Sequence, residues 1–381
     1  MRDSLLTARR MCGAMSMEAF KPTVPDVRDR REPEQNERSE FCSHNTNLAN
    51  SCAACVLESR AEQPVWKVLA ELMRACKYKR EGEGPECTIE CNGKRYEVRM
   101  VRSEDKKAVQ EIQEMMEETF GKEEVDPIEV LKAGIDGKLL DGSPDVARYR
   151  FYVARDASGK IQSVYAGGLV GMTDPVLAGE AMFMGTYGIT RPESRRQGIV
   201  RELYISSMMQ AAADAHSEGK RFLMIAGECT WSSERAWNSV GRRRVYVETG
   251  ANRYSELRYV QPALDFDRST GLPTEEVGEA AEHIMVHFLE GEPDKARISA
   301  AIESMYLWCN TWPQSVFENK AAHDAHLHYV ATLHKEFDAL MRANGALRLL
   351  SADEREQLRA TGAKINEYTE ADHGDKEPEN P

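Results

Sequence analysis

Hydrophobic positions change their spacing repeatedly between residues 96 and 262, and these changes predict an α/β domain. Apolar runs with the period and composition of strands are predicted at 96–101, 148–154, 161–170, 181–190, 222–226, 244–248 and 256–261. Helical spacing is predicted at 109–120, 126–139, 199–217 and 233–240. The predicted order along the chain is one strand, two helices and then three strands. Helices and strands alternate after that.

The chain before this domain divides into two parts. Residues 1–60 contain a long polar stretch rich in Pro, Arg, Asp, Glu, Asn and Ser, which predicts a disordered or loosely ordered leader. Residues 64–78 have apolar positions at helical spacing, and Asn92-Gly93 is the preferred two-residue turn of a hairpin. We therefore predict that residues 61–95 form a short helix and a hairpin strand that pack on the core.

The chain after the domain changes character. A polar linker at 265–273 precedes helices predicted at 275–289, 294–309, 314–343 and 352–363. The last helix has a capping-box sequence from Ser351 to Glu354. From residue 370 onwards the chain contains five carboxylates and one lysine. These patterns predict an α-helical C-terminal region over 274–365 and a disordered acidic tail over 366–381.

Composition narrows the classes of partner. The 381 residues include 50 basic and 63 acidic side chains, a net charge of −13. Proteins that coat nucleic acid or anionic membranes present basic surfaces, so neither partner is expected. No apolar run reaches the ~18 residues of a spanning helix, and the first twenty residues do not have the pattern of a secretory signal. We expect a cytoplasmic protein of unknown oligomeric state.

Cysteine and histidine residues were considered as metal ligands. Cys52-Ala-Ala-Cys55 has metal-ligand or redox spacing, and Cys87 and Cys91 could add a second pair. A strand places Cys87 and Cys91 roughly 13 Å apart on one face, too far for a compact pair. Four histidines at 323, 326, 328 and 334 lie on one predicted helix, where a partly buried helical face is the better interpretation. We predict no metal site.

The segment with the clearest chemistry is Arg195-Arg-Gln-Gly-Ile-Val200, which joins a strand to a long helix. Backbone N–H groups at a helix N-terminus have no partners within the helix and carry positive partial charge. Gly198 lets the backbone approach an anion, and Arg195 and Arg196 add charge-assisted donors. The pattern matches neither a Rossmann fingerprint nor a P-loop. It predicts a phosphate or pyrophosphate site.

This segment resembles the acyl-CoA signature of the Gcn5-related N-acetyltransferase (GNAT) superfamily, Arg/Gln-x-x-Gly-x-Gly/Ala, at Arg195 and Gly198. Val200 departs from the Gly/Ala position of that signature. The element order over 96–261 is also the order of the GNAT fold. The resemblance implies a mixed, mostly antiparallel sheet flanked by helices, to which the α-helical C-terminal region is an extension.

The same resemblance implies how acetyl-CoA, or another acyl-CoA, is bound as acyl donor. The pantetheine arm of the donor lies between two splayed strands, which correspond to 181–190 and 222–226. Backbone groups of Gly188 and Thr190 would pair with it. Loop amides of Arg196, Gln197, Gly198, Ile199 and Val200 would hold the pyrophosphate, with Arg195 beside them.

Catalytic residues are less well specified. The family's proton donor is often a Tyr in Asn-x-x-Ala-x-x-x-Tyr, but the matching stretch here has Ser233 and Val240 at the Asn and Tyr positions. Tyr187 is a nearby candidate acid and Glu228 a candidate base. Tyr246 and Glu180 are further candidates, and packing or solvation is an alternative interpretation for all four. The basic run Arg242-Arg-Arg244 is interpreted as a solvated turn rather than a contact with phosphates or a carboxylate substrate.

These expectations combine into an acyl-CoA-dependent N-acyltransferase. Such an enzyme moves an acetyl or other short acyl group to an amine by direct attack, and the acceptor is a small-molecule or protein amine. The alternative is a catalytically degenerate acyl-CoA sensor or scaffold that acts through its C-terminal helices. Val200 and the missing Tyr both favour this alternative.

Overall fold

The computed structural model of the chain describes residues 64–121, 125, 128–138, 147–172, 174–229, 234–262, 266–274, 280–309, 312, 314–342 and 345–367. The predicted leader at 1–60, including Cys52 and Cys55, and residues 368–381 of the predicted tail lie outside these residues. The first residue of that predicted tail, Asn366, is the last residue of a strand. The α-helices are α1 (Pro64–Arg74), α2 (Lys106–Phe120), α3 (Ile128–Ile135), α4 (Ile199–Ser217), α5 (Glu234–Asn238), α6 (Lys295–Cys309), α7 (Lys320–Arg342) and α8 (Ala352–Ala360).

The strands of the described residues join in a single mixed sheet. They are β1 (Lys79–Glu81), β2 (Cys87–Cys91), β3 (Lys94–Met100), β4 (Arg148–Arg155), β5 (Ile161–Gly171), β6 (Glu180–Thr190), β7 (Arg221–Cys229), β8 (Arg243–Gly250), β9 (Arg253–Glu256), β10 (Arg258–Gln261), β11 (Ala280–Phe288), β12 (Leu347–Leu350) and β13 (Lys364–Asn366). Their main order is β1-β2-β3-β4-β5-β6-β7-β11-β8-β9-β13, with β10 beside β11 and β12 beside β8. Pairing is parallel at β6–β7 and β9–β13 and antiparallel at the other pairs, so the predicted fold class is confirmed.

Helices cover both faces of this sheet. On one face, called the α4 face, α1 and α4 pack on strands β2 to β7 through side chains such as Leu69, Leu203 and Phe183. On the opposite face, called the α7 face, residues of α2, α3, α6 and α7 share a core with β4 to β8. Burial of apolar side chains on both faces is the main source of stability. The sheet is therefore an inner layer, and a site in it is reached only where strands part.

Several local predictions are confirmed. The β2–β3 hairpin turns at Asn92 and Gly93, both with positive φ, as the turn type requires. Cys87 and Cys91 are both buried on one face of β2. The Ser351 hydroxyl accepts a hydrogen bond from the Glu354 amide, and the Glu354 carboxylate accepts one from the Ser351 amide, which completes the capping box at α8.

The helix predicted at 275–289 is wrong, because residues 280–288 form β11. This strand lies between β7 and β8 and pairs with both. Its central residues Ile284, Met285 and Val286 are all buried. A strand covered on both faces is a continuous apolar run, and periodicity alone does not separate such a run from a buried helix. Strands β9, β12 and β13 were not predicted either.

The C-terminal region therefore has two components. Helices α6, α7 and α8 agree with the predicted α-helical extension, whereas β11, β12 and β13 join the main sheet. The division of the chain into separate regions at 262 and 274 stays a prediction. Within the described residues, no helix is both long and apolar enough to cross a bilayer.

Candidate functional site

The sheet opens between β6 and β7. These parallel strands pair from Glu180 opposite Arg221 as far as Met184 opposite Ala226. Beyond that point β6 continues to Thr190 and β7 to Cys229 without pairing to each other. The unpaired ends, 185–190 and 227–229, bound a cleft that we call the β6–β7 cleft. These are the two strands, at 181–190 and 222–226, that the resemblance to the GNAT family implies are splayed.

The predicted phosphate loop follows the open end of β6. A single 3₁₀ turn at Pro192–Ser194 leads into the loop, and α4 then runs for 19 residues. Gly198 is the N-cap in the left-handed region (φ 82°), and no side chain caps the helix there. Within the described residues, the backbone N–H groups of 196–200 donate no hydrogen bond to another backbone group. Five consecutive unpaired donors at the positive end of a long helix are the arrangement that attracts anions, and the phosphate site stays a prediction.

Neighbouring groups hold the loop in place. The Tyr96 hydroxyl donates to Gln197 Oε1 at 2.8 Å, and Ser194 Oγ donates to Gln162 on β5 at 2.9 Å. A Cβ on Gly198 would lie 3.3 Å from the ring of Tyr78, so the glycine also allows this close packing. Arg195 and Arg196 are exposed. Arg195 Nε donates to the Thr190 carbonyl at 3.2 Å. This carbonyl is one of the backbone groups predicted to pair with the pantetheine arm of acyl-CoA.

A buried ion pair joins the N-terminal segment to the first turn of α4. Arg80 Nε lies 2.9 Å from Glu202 Oε1, and both side chains are almost completely buried. The hydroxyl of Tyr78 donates to the other carboxylate oxygen at 2.7 Å. Burial and the nearby Glu202 carboxylate raise the pKa of the Cys76 thiol to about 12. The Cys76 thiol is therefore protonated at neutral pH. The cluster of Arg80, Glu202 and Tyr78 beside it is structural rather than reactive.

Arg242 fills the closed end of the cleft on the α4 face. A Cβ built on Gly185 would lie 2.6 Å from Arg242 Nη2, and one built on Gly227 would lie 3.0 Å from Nη1. The guanidinium therefore spans the two strands at the point where they part. Arg242 is 1% exposed. The interpretation of Arg242–Arg244 as a solvated turn is therefore wrong, since Arg244 is fully buried as well.

Aromatic groups surround Arg242. Its Nη2 donates to the Tyr165 hydroxyl at 2.7 Å, and its guanidinium carbon lies 4.5 Å from the Trp237 ring centroid and 5.4 Å from that of Tyr204. Burial raises the pKa of Tyr165, although Arg242 acts in the opposite direction. The phenol therefore keeps its proton. Sequence reasoning missed both Tyr165 and Trp237, because Tyr165 stands in no motif and Trp237 occupies an unspecified position of the stretch 233–240.

Two predicted donor-binding residues, Gly188 and Thr190, lie along the cleft wall. Gly188 is opposite Tyr165 in the β5–β6 register. A Cβ on Gly188 would lie 3.1 Å from the Trp237 ring, so this ring covers the strand at the predicted pantetheine position. The Thr190 hydroxyl shares a 2.8 Å hydrogen bond with Ser163. The cleft is thus lined in order from its open end to its closed end, by the loop, Thr190, Gly188 and Gly185.

The two predicted catalytic residues lie on the α7 face. Tyr187 is buried and its ring centroid is 5.7 Å from that of Phe120. Glu228 is opposite Ile284 in the β7–β11 register and two residues from Ala226, and both of those residues belong to the α7-face core. The structure thus places Tyr187 and Glu228 on the same face, one on each side of the cleft. Their catalytic roles stay predictions.

Glu180 and Tyr246 lie away from the cleft. Glu180 is at the paired end of β6, where it accepts hydrogen bonds from Arg221 and Arg297. Burial alone would raise its pKa, but these two arginines outweigh burial and lower the pKa. The Tyr246 hydroxyl donates to Glu367 at 2.8 Å. Both side chains are thus held by partners away from the cleft, in agreement with the alternative interpretation as structural residues, and a catalytic role for either stays a prediction.

A group of paired charges adjoins Arg242 on the α4 face, and we call it the charge network. Arg244 donates to Glu234 at 2.6 Å and to Glu256 at 3.4 Å, and Arg355 makes two bonds to Glu234, at 2.6 and 2.8 Å. Glu367 completes the network through Arg355. No group of three or more His, Cys, Asp or Glu side chains in the described residues is arranged to hold a metal ion.

His287 lies on β11 beside the buried arginine. Burial lowers its pKa to about 4, and the charges of Arg242 and Arg243 act in the same direction. The imidazole is therefore neutral at pH 7. It adds no positive charge to the cleft, and burial is the main cause of its lowered pKa.

Comparison with known proteins finds similarity at the level of solved structures. No protein-family model and no curated protein match the sequence. A GNAT-family acetyltransferase from Desulfovibrio desulfuricans is similar over 51% of this chain and 99% of its own, at 14% identity and a TM-score of 0.29. An aminoglycoside acetyltransferase from an uncultured soil metagenomic sample, in complex with sisomicin, covers 38% and 83% at 11% identity and a TM-score of 0.28.

A third similar structure is a GCN5-related glucosamine N-acetyltransferase region of a fungal multi-domain β-N-acetylglucosaminidase. The similarity covers 40% of this chain and 18% of that one, at 15% identity and a TM-score of 0.28. This chain is similar to GNAT acetyltransferases over part of its length.

Proposed function

We propose that the protein is an acyl-CoA-dependent N-acyltransferase. The observation that carries the proposal is the row of unpaired N–H groups at 196–200, next to the open end of the β6–β7 cleft. A pyrophosphate on these donors directs the attached arm of acyl-CoA along Thr190 and Gly188. The thioester then lies near Gly185 and Tyr165, where the two strands part.

The residues around the cleft can meet the chemical needs of acyl transfer. Nucleophilic attack requires a neutral amine, and the leaving thiolate requires a proton. Glu228, on the α7 face, is placed to accept a proton from an amine that approaches from that side. The Tyr165 hydroxyl is protonated at neutral pH and hydrogen-bonded to Arg242, so it is placed to protonate the thiolate. Tyr165 thus supplies the hydroxyl that Val240 cannot.

Binding of CoA to a Gly198→Val variant tests the loop assignment. Gly198 has φ 82°, and an added Cβ would lie 3.3 Å from Tyr78. A β-branched side chain therefore strains the loop and displaces its N–H groups. We expect wild-type protein to show a rise in Tm with CoA, and the variant to lose at least tenfold in affinity. Gly219→Val is the matched control, because Gly219 also has positive φ, lies at the other end of α4 and has open space around it. Equal CoA binding by both variants contradicts the proposal.

A non-catalytic acyl-CoA sensor is the second candidate. It is favoured by Val240, a buried apolar residue at the position where the resemblance to the GNAT family implies a proton-donating Tyr. The two candidates differ in turnover. Release of free thiol from acyl-CoA in a panel of amines, lost in Tyr165→Phe and Glu228→Gln variants that still bind CoA, supports the enzyme. Tight binding without thiol release supports the sensor.

A further inference from the structure

The charge of Arg242 has no counter-charge in the part of the chain that the structure describes. No carboxylate there forms an ion pair with it, and its Nε has no hydrogen-bond partner. Cation–π contacts with Trp237 and Tyr204 attract the guanidinium but leave its charge in place. A buried cation is costly unless an anion pairs with it. Arginine also remains charged under all ordinary conditions. The closed end of the cleft is therefore prepared for an anionic group.

The position of Arg242 restricts what this anion can be. Gly185, beside the guanidinium, is three residues along β6 from Gly188, a distance of roughly 10 Å. The phosphate loop lies beyond the opposite end of that strand, on the α4 face. The loop and the guanidinium are thus two positive sites at the two ends of one cleft. A ligand that binds to both the phosphate loop and the Arg242 guanidinium therefore carries an anionic group at each end.

Side chains around Arg242 leave one route by which such a ligand can reach it. Gly185, Gly188 and Gly227 place no side chain of their own against the guanidinium, and the space beside them is filled by Arg242, Tyr165 and Trp237. Tyr165 and Tyr204 are almost completely buried, whereas Trp237 is only partly buried, on the five-residue helix α5. Rotation of the Trp237 ring therefore exposes the guanidinium to the cleft.

We propose that Arg242 binds a terminal carboxylate on the acyl group, so that the preferred donors are CoA thioesters of dicarboxylic acids. The inference deepens the proposed function and rests on it. An acetyl group leaves the buried cation unmatched, whereas a malonyl, succinyl or glutaryl chain brings a carboxylate to it. Planar guanidinium groups bind carboxylates through two parallel hydrogen bonds, which suits this role.

The carboxylate comes from the donor rather than the acceptor because of the face on which Arg242 lies. Its guanidinium shares the α4 face with the phosphate loop. Tyr187 and Glu228, beside which an amine would approach, are on the α7 face. A carboxylate on the acceptor would have to pass between the two strands to reach Arg242.

The test compares the dissociation constants of CoA, acetyl-CoA and succinyl-CoA by calorimetry for the full chain and three variants. Arg242→Met removes the charge, Arg242→Lys keeps the charge without the planar pair of donors, and Arg243→Met is the control. Arg243 is the adjacent, partly exposed arginine, and it binds backbone carbonyls of Asn238 and Arg242. We expect wild type and Arg243→Met to bind succinyl-CoA about 10- to 100-fold more tightly than acetyl-CoA. Arg242→Met should bind the two thioesters equally, and Arg242→Lys should lie between.

Each outcome is informative. A wild-type protein that binds CoA but does not discriminate between the thioesters overturns this inference alone. A protein that binds no CoA overturns the proposed function as well. A preference that survives Arg242→Met also overturns the inference. If glutamate stabilises the CoA complex of wild type but not of Arg242→Met, and the thioesters bind equally, the cation serves the acceptor and the donor assignment is wrong.

Two measurements keep the test independent of folding defects. The affinity for CoA itself should change by less than about twofold in Arg242→Met, because the loop is untouched. Tryptophan fluorescence should change when succinyl-CoA binds wild type, and most of that change should be lost in Trp237→Phe. An unchanged signal in Trp237→Phe contradicts the route past this ring.

Discussion

Arg242 and Arg244 are two residues apart and both are buried on the α4 face, yet their surroundings differ completely. Arg244 has carboxylates on two sides, Glu234 at 2.6 Å and Glu256 at 3.4 Å. Arg242 has a phenol and two aromatic rings. The first arrangement satisfies a buried charge within the protein, whereas the second leaves it for another molecule to satisfy.

This difference separates a stabilising role from a binding role. Removal of one member of a buried ion pair strands its partner in a poorly solvated place, which is strongly destabilising. Removal of Arg242 leaves no charge unpaired, and it leaves one neutral group, the Tyr165 hydroxyl, without its hydrogen bond. Stability should therefore fall much more on the loss of Arg244 than on the loss of Arg242, while ligand binding should respond in the opposite way.

The largest expected effect is on the free energy of unfolding of Arg244→Met. This change leaves Glu234 and Glu256 buried with fewer partners, and we expect a loss of about 3–5 kcal/mol. Urea unfolding measures it. Arg242→Met should lose no more than about 1 kcal/mol, because the lost hydrogen bond to Tyr165 is offset by removal of a buried charge. Arg243→Met should change stability by less than about 1 kcal/mol. A large loss in Arg242→Met with little change in Arg244→Met would reverse the assignment of the two arginines.

The next effect concerns His287, the neighbour of Arg242. Its pKa is about 4 in the folded state, against 6.5 ordinarily. Between these values the unfolded chain binds a proton that the folded chain does not, so stability is fully present above pH 6.5 and falls as pH is lowered towards 4. From pH 7.5 to 5.0, wild type should lose about 2 kcal/mol more than His287→Gln. Urea unfolding at both pH values checks this, and parallel losses in the two proteins would contradict it.

The smallest expected effect on stability concerns α8, the helix that carries Arg355 of the charge network. Ser351→Ala removes the cap of α8 and should lower stability by about 1 kcal/mol. Thr361→Ala, at the other end of the same helix, is a control with an exposed hydroxyl that bonds the backbone locally. Thermal unfolding should rank the variants in that order. An equal change in both would show that capping contributes little here.

Local features of the sequence predicted the central part of the molecule. The strands around the cleft, β4 to β7, and the long helix α4 lie close to their predicted positions because alternation, helical spacing and turn residues are short-range signals. The phosphate loop was found for the same reason, since Gly198 and its arginines are adjacent in sequence.

Features that depend on distant parts of the chain were not predictable in this way. Arg80 and Glu202 are 122 residues apart, and Tyr165 and Arg242 are 77 apart. Nothing near either residue of a pair indicates its partner. The basic run at 242–244 was judged by composition, and composition does not show that two of its three residues are buried.

The position of β11 has a consequence for how the chain folds. Strands β7 and β8 are not hydrogen-bonded to each other, because β11 lies between them and pairs with both. Residues beyond 280 must therefore be synthesised before the half of the sheet that holds β8 and β9 can attach to the half that ends at β7. Such pairings are slow to form, and until they do β7 presents a bare edge that invites aggregation. A chain shortened at residue 262 should therefore be insoluble, even though it retains the cleft and the phosphate loop.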